Sequence, residues 1–260
     1  MLNNKVALVC ASSAGIGRGI ATRLAEAGCH VALLGRRAVK LEEAATEISK
    51  RSNHKVMPVV CDLSNIDEVE KAYQKVRESL GPVDILINNQ GGPPPGEILD
   101  ISLEQLDLAT KTNVVSVFRL CQLCIPEMKE RKWGRVINVL SISGKQPLPN
   151  MLLSNMLRPT ILGLAKSLSN QYAKDGITVN SLLPANVLTD RTTSLLTNKA
   201  QSEGRSFEDV VEECAQGVPV KRMTTPEEFG QSAAFLASEE ASFLTGLALP
   251  VDGGLSQSLL

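Results

Sequence analysis

Gly15 and Gly17, in the segment CASSAGIG at residues 10–17, are the residues whose type and spacing point most directly to chemistry. A backbone that passes close to a pyrophosphate needs residues without bulk, and a helix opening straight after such a loop turns free amides and its positive dipole end towards the ligand. The apolar run VALVC precedes the loop, so strand, loop and helix follow one another as phosphate binding requires, with Ala11, Ser12, Ser13, Gly15, Ile16 and Gly17 as the contacting residues. Further on, Arg36 and Arg37 stand at the end of the second apolar run, where an acidic side chain would accept hydrogen bonds from a ribose 2′-hydroxyl. Two guanidinium groups instead favour a 2′-phosphate, hence NADP(H) over NAD(H). A merely solvated arginine pair at a helix start would oppose the macrodipole.

These residues need a frame, and the chain supplies one. Short Val/Ile/Leu runs (VALVC, HVALL, KVMPVV, VDILI, RVINVL, ITVNSLL) alternate with amphipathic stretches, among them residues 39–50, 67–80, 103–131 and 154–173. Continuous apolar runs separated by helices are what a parallel sheet covered on both faces demands. The expectation is one α/β domain over residues 1–260, a doubly wound Rossmann sheet of seven strands with helices on both faces. Gly28, Gly81, Gly134 and Gly176 fall between helix and strand, where left-handed caps are wanted. Residues 191–222 fit the strand pattern least and read as one or two helices inserted as a lid over the carboxyl ends of the strands.

Composition narrows the function classes. The chain has 260 residues, is 43% apolar and 21% charged, and carries a formal charge of -1, which gives no electrostatic case for nucleic acid. No apolar run approaches the roughly 20 residues that span a bilayer, and no cationic leader precedes an h-region. The expectation is a cytoplasmic protein with a small-molecule substrate, no nucleic acid and no membrane. Six cysteines in apolar surroundings read as reduced core thiols. The pair Cys121 and Cys124 reads as two buried residues one helical turn apart and not as half of a metal site, and no metal is expected.

Five segments in order, at residues 10–17, 61–63, 88–91, 184–189 and 247–254, make the whole chain resemble the short-chain dehydrogenase/reductase family, in particular its 3-oxoacyl-carrier-protein-reductase-like branch. The resemblance implies that Asp62 and Leu63 hold the adenine, that Asn89 and Gly91 line the path of the nicotinamide ribose, and that Pro184, Val187 and Thr189 fix the carboxamide. Ala11 and Ala185 each replace a family glycine, which implies a slightly shifted loop. It also implies a homodimer or homotetramer through the long helices, whose apolar stripes (Val114, Val117, Leu120, Cys121, Cys124; Leu157, Ile161, Leu164, Leu168) run longer than one sheet face needs.

The same resemblance assigns catalysis to Asn113 and Ser141, and places Ser154 and Arg158 where the family carries a tyrosine and a lysine. A serine hydroxyl is a far poorer acid than a phenol with a pKa near 10. Arg158 keeps its proton, yet it can hold the ribose and stabilise developing negative charge. Neither Tyr73 nor Tyr172 falls in this window, and His30 and His54 precede strands on the opposite edge of the sheet. Lys145 is nearer, and reads either as a donor or as a solvated loop residue. Three readings follow. The first is an NADPH-dependent reductase of a carbonyl or a conjugated enone with an atypical active site, and the second a catalytically silent NADP(H)-binding subunit or regulator. A module without nucleotide is the third.

Overall fold

The computed structural model describes residues 2–258. Seven strands lie in one parallel sheet, in the order β3-β2-β1-β4-β5-β6-β7. They are β1 (Val6–Val9), β2 (His30–Gly35), β3 (Val56–Val60), β4 (Ile85–Asn89), β5 (Gly134–Val139), β6 (Ile177–Pro184) and β7 (Ala248–Val251). The chain starts in the middle, winds out to β3, returns across β1 to β4 and winds out the other way. The carboxyl ends of β1 and β4, where the winding reverses, are therefore flanked by helices leaving on opposite faces.

Alternation along the strands builds two cores. Val6, Leu8 and Cys10 face a layer with Leu120, Cys124 and Ile161, from α5 (Ser116–Glu130) and α6 (Leu152–Tyr172). Ala7 and Val9 face the other layer with Ile20 and Leu24 of α1 (Gly15–Glu26), Leu41 of α2 (Ala38–Ser49) and Phe229. The remaining helices are α3 (Ile66–Leu80), α4 (Leu103–Thr110), α7 (Asp190–Glu203), α8 (Phe207–Gln216) and α9 (Pro226–Ala237). After β6, two helices stand where the sequence predicts one or two. α7 and α8 pack on each other through Leu196, Ala200 and Val210, a small cluster separate from both main cores. No helix among the described residues is long and apolar enough to cross a membrane.

Three expectations need correction. The helix expected over residues 103–131 is interrupted by a π-helical turn, Lys111–Val115, between α4 and α5. One extra residue in a turn barely alters the apolar period, so the sequence hides it. Gly28, Gly81 and Gly176 have positive φ as expected, but Gly134 does not; Lys132 takes the left-handed position after α5 at φ 55°. Gly134 instead opens β5 against Met128, whose Sδ would lie 2.6 Å from a Cβ there. The stripes on α5 and α6 are not surplus surface either. Val117, Leu120, Cys121, Cys124, Leu157 and Ile161 are buried within the chain, Val114, Leu164 and Leu168 are half-buried against the same core, and the exposed large apolar residues nearby are Val115 in the π-helical turn, Phe118 on α5 and Met156 on α6.

α1 and α9 pack so closely that a Cβ on Gly19 would sit 2.1 Å from the carbonyl oxygen of Pro226. Gly163, on the exposed side of α6, would meet nothing within 4 Å. Gly19→Ala should therefore destabilise by about 1–3 kcal/mol through overpacking. Gly163→Ala should stabilise by roughly 0.5–1 kcal/mol through helix propensity. Urea midpoints of the two variants check both signs.

Candidate functional site

A cavity of about 600 Å³ opens at the carboxyl edge of β1, β2, β3 and β4. Its floor is the glycine loop. Ala11 there has φ 45°, in the left-handed region that favours glycine. At an alanine this costs roughly 1–2 kcal/mol. Gly17 explains the constraint, since a Cβ there would be 2.4 Å from the Ala11 carbonyl oxygen and 2.7 Å from Asn89 Nδ2. Asn89 Nδ2 donates to the carbonyls of Cys10 (3.1 Å) and Ala11 (3.3 Å), locking the loop to the end of β4. The following helix begins with Ala14 as its N-cap, with no side-chain cap and no acidic residue in the first turn. The amides of Gly15, Ile16 and Gly17 are thus left for a ligand.

The loop residues divide by role. Ser13 lines the cavity, whereas Ser12 is turned inward, its amide donating to Leu34 O (2.9 Å) and its hydroxyl to Val9 O (2.8 Å). The Ile16 side chain packs on the α1 core. Sequence alone does not say which way a serine turns.

At the outer end of the cavity Arg36, Arg37, Asp62 and Leu63 come together. Arg36 lies 4.0 Å from Asp62 with its side chain 76% exposed, and Arg37 Nη2 donates to Ser13 Oγ at 3.5 Å. Burial raises the Asp62 carboxyl, but bonds from the amide (2.9 Å) and hydroxyl (2.8 Å) of Ser64, aided by Arg36, bring it below its ordinary value. Gly91 lines the inner wall with open space at its Cβ position. Thr189, the N-cap of α7, reaches over the loop, its Cβ 3.3 Å from the position a Gly15 Cβ would take. Pro184 closes β6, and Val187 is buried and pairs with Thr224.

The predicted catalytic residues lie on three elements, and of them Asn113 alone lines the cavity. Asn113 sits in the π-helical turn and lines the cavity; its Nδ2 donates to Ala109 O (3.0 Å) while its buried Oδ1 has no partner among the described residues. Ser141 caps a short 3-10 turn, Ile142–Gly144, after β5, its oxygen accepting from the Ser143 amide at 3.1 Å. Ser154 enters from the first turn of α6 and its hydroxyl lies 2.8 Å from that of Ser143, both buried. Ser143 was not singled out in the sequence. Its buried hydroxyl, in the turn after Ser141, is the signal that a second hydroxyl belongs to the cluster.

One turn further along α6, Arg158 is 4% exposed, and its Nε and Nη1 have no partner among the described residues. Burial, followed by the charge of Arg191, pulls its guanidinium down to about 10, so it stays cationic at neutral pH. Gln90, after β4, is buried with both amide atoms equally unpartnered. Both phenols are elsewhere: Tyr73 donates to Glu127 (3.0 Å) between α3 and α5, and Tyr172 ends α6. His30 and His54 stack edge to face, centroids 5.4 Å apart, at the amino edge of the sheet. Cys121 and Cys124 are free and buried, and burial pushes the Cys121 thiol up to about 12, which makes it inert.

Comparison with known proteins identifies relatives over nearly the whole chain. The family described as enoyl-(acyl carrier protein) reductase matches residues 10–256. Oxidoreductase UcpA of Salmonella typhimurium is 36% identical over 254 residues, 97% of this chain and 95% of that protein. The 3-oxoacyl-[acyl-carrier-protein] reductase FabG of Chlamydia muridarum is 32% identical over 256 residues, 98% of this chain and 99% of that protein. Among solved structures, L-sorbose reductase from Gluconobacter frateurii, complexed with NADPH and L-sorbose, superposes with a TM-score of 0.95 at 31% identity, covering 99% of this chain and 98% of that one.

The strained floor of the cavity carries a prediction. Ala11→Gly removes the left-handed penalty of roughly 1–2 kcal/mol, offset by about 0.5–1 kcal/mol of added chain entropy. A gain of up to about 1.5 kcal/mol in unfolding free energy is expected, read from the urea midpoint. A loss would show that the alanine is unstrained.

Proposed function

We propose that this chain, which belongs to the short-chain dehydrogenase/reductase family, is an NADP(H)-dependent oxidoreductase that reduces a carbonyl or a conjugated enone of a small molecule, with Ser154 and Arg158 in place of the family's tyrosine and lysine. The observation that carries this reading is the set of buried polar side chains around the carboxyl edge, Asn113 and Arg158 foremost, whose open hydrogen-bonding positions a polar ligand would complete. The donor set suits the cofactor: uncapped amides at residues 15–17 for the pyrophosphate, Arg36 and Arg37 for a 2′-phosphate, Asp62 and Leu63 for the adenine. Asn89 and Gly91 border the ribose, and Pro184, Val187 and Thr189 the carboxamide. NADPH in the related L-sorbose reductase supports the same choice.

When bound, the cofactor supplies the hydride. The chain's own residues then handle charge and protons. Ser141 donates its hydroxyl hydrogen to the oxygen on which negative charge grows, and Arg158 holds the ribose and sets a positive field beside that oxygen in a site of low dielectric. With an enone no phenol would be required: hydride addition at the β-carbon would leave the electron pair on oxygen as an enolate, which Ser141 and Arg158 would stabilise and water would protonate. The Ser143 and Ser154 hydroxyl pair fills the place of the phenol. α7 and α8, which pack on each other through a small cluster separate from both main cores, act as the lid. Exposed Val115, Phe118 and Met156 give α5 and α6 a face for a second copy, so that a homodimer or homotetramer forms.

Following NADPH absorbance with a panel of ketones and enones tests the reading, and turnover of any acceptor is the expected result. NADPH binding without turnover across the panel favours the catalytically silent subunit, a role compatible with the absence of a phenol from the site. Ser141→Ala should cost roughly 2.7–4 kcal/mol in kcat/KM, the scale of one oxyanion donor. Ser154→Tyr combined with Arg158→Lys should raise reduction of simple ketones; no gain in a folded, cofactor-binding double variant would show that the pocket has moved away from the family geometry.

A further inference from the structure

The segment after β7 turns back along the carboxyl edge of the sheet. Asp252 is buried, and its two carboxylate oxygens accept from the amides of Gly254 (2.9 Å) and Ser256 (2.8 Å). Gly253 and Gly254 have φ 65° and 84°, and a Cβ on Gly253 would lie 2.6 Å from Val220 Cγ2, so the reversal needs glycine there. The chain then meets the loop that follows β5, where Gln146 Oε1 accepts from the Gln257 amide (3.1 Å) and from Ser256 Oγ (3.4 Å). Because β6 lies between β5 and β7, residues 252–257 bridge two strand positions.

Gln146 stands directly behind the turn that carries Ser141. Gly144 N donates to Ser141 O (3.0 Å), and the amides of Lys145 (2.9 Å) and Gln146 (3.1 Å) both donate to Ile142 O. Within that turn the Ser141 hydroxyl oxygen accepts from the Ser143 amide, which leaves its hydrogen to be given to an acceptor. Further along the same loop the hold comes from α6: Asn155, next to Ser154, exchanges two bonds with the Leu148 backbone, at 3.0 and 2.9 Å. A short 3-10 turn has few bonds of its own, and those have poorer geometry than α-helical ones. What grips the loop behind it therefore decides how steadily the hydroxyl is aimed.

We propose that Gln146 is a positioning residue: by hooking residues 256 and 257 to the end of the Ser141 turn, it makes the segment after β7 a strap that aims the Ser141 hydroxyl. This rests on the role given to Ser141 in the reductase reading, and adds to it a residue assigned to neither cofactor nor acceptor. Chain beyond a last packed element frays unless it is tied down, and a tie of two bonds opens locally at small cost. Loosening it frees the turn and leaves the glycine loop undisturbed, since that loop is clamped separately by Asn89 of β4.

The test compares the unaltered chain with Gln146→Leu, which keeps the bulk and loses the acceptor, with Gln146→Glu, which keeps an oxygen there, and with a chain lacking residues 255–260. Hydrogen exchange of the 141–148 segment is read against that of the 10–17 segment, and NADPH affinity and turnover of one acceptor from the panel are measured on the same samples. Gln146→Leu and the deletion should speed exchange in 141–148 about tenfold, the scale of a lost hydrogen bond or two, with 10–17 unchanged. Gln146→Glu should restore most of the protection. In the loosened variants kcat should fall about tenfold, as misaimed groups do, while KM and NADPH affinity move by less than about twofold. Unchanged exchange in 141–148 on Gln146→Leu overturns the proposal. So does equal loosening of 10–17, a Gln146→Glu variant as loose as Gln146→Leu, or an unaltered kcat in a chain whose turn has loosened. If the unaltered chain turns over no acceptor, the reductase reading fails instead, and the exchange comparison still decides whether the strap holds the turn.

Discussion

A guanidinium buried without a counter-charge is the least comfortable group in this molecule, and the arrangement of the site follows from it. Leaving a buried donor unmade costs about 1–3 kcal/mol, and more when the group is charged. Arg158 has two such nitrogens, Gln90 both of its amide atoms and Asn113 one oxygen, all at the carboxyl edge of the sheet. A fold that only had to be stable would replace them with aliphatic residues of similar volume, which is often neutral or stabilising. Retaining them makes sense when a polar ligand completes them.

The same edge is held rigid from below. Gly17 can approach the Ala11 carbonyl because it has no Cβ, and Asn89 clamps that carbonyl and its neighbour from β4. The loop therefore cannot relax Ala11 out of its left-handed conformation without breaking contacts on both strands. Strain in the loop and open valences around it belong to one design, in which the sheet fixes the positions of amides and side chains before the ligand arrives. Preorganised dipoles of this kind do not have to reorient as charge develops.

Most of the frame is legible in the sequence because a doubly wound sheet imposes a strong pattern. Its inner strands are buried on both faces and read as unbroken apolar runs, and helices α2, α3 and α6 lie within two residues of their expected limits. What escaped has physical causes. The π-helical turn that carries Asn113 adds one residue to a helix whose apolar period hardly changes. The inward turn of Ser12 depends on the Val9 carbonyl at the end of its own strand and on Leu34 of the neighbouring strand, 22 residues on. The stripes on α5 and α6 are apolar for the sake of the sheet, and only the packing angle decides which flank, here that of Phe118 and Met156, is left outside. Ser143 became visible as a site residue only once its hydroxyl was seen against Ser154.

The central claim is that the carboxyl edge, with its uncapped helix start and its arginine pair, grips a phosphorylated nicotinamide dinucleotide. Titration of the purified chain with NADPH and with NADH, followed by calorimetry at low and moderate salt, tests this most directly. The account predicts saturable one-site binding, tighter for NADPH, with the margin shrinking as salt screens Arg36 and Arg37. No heat from either dinucleotide, or tighter binding of NADH, would contradict it.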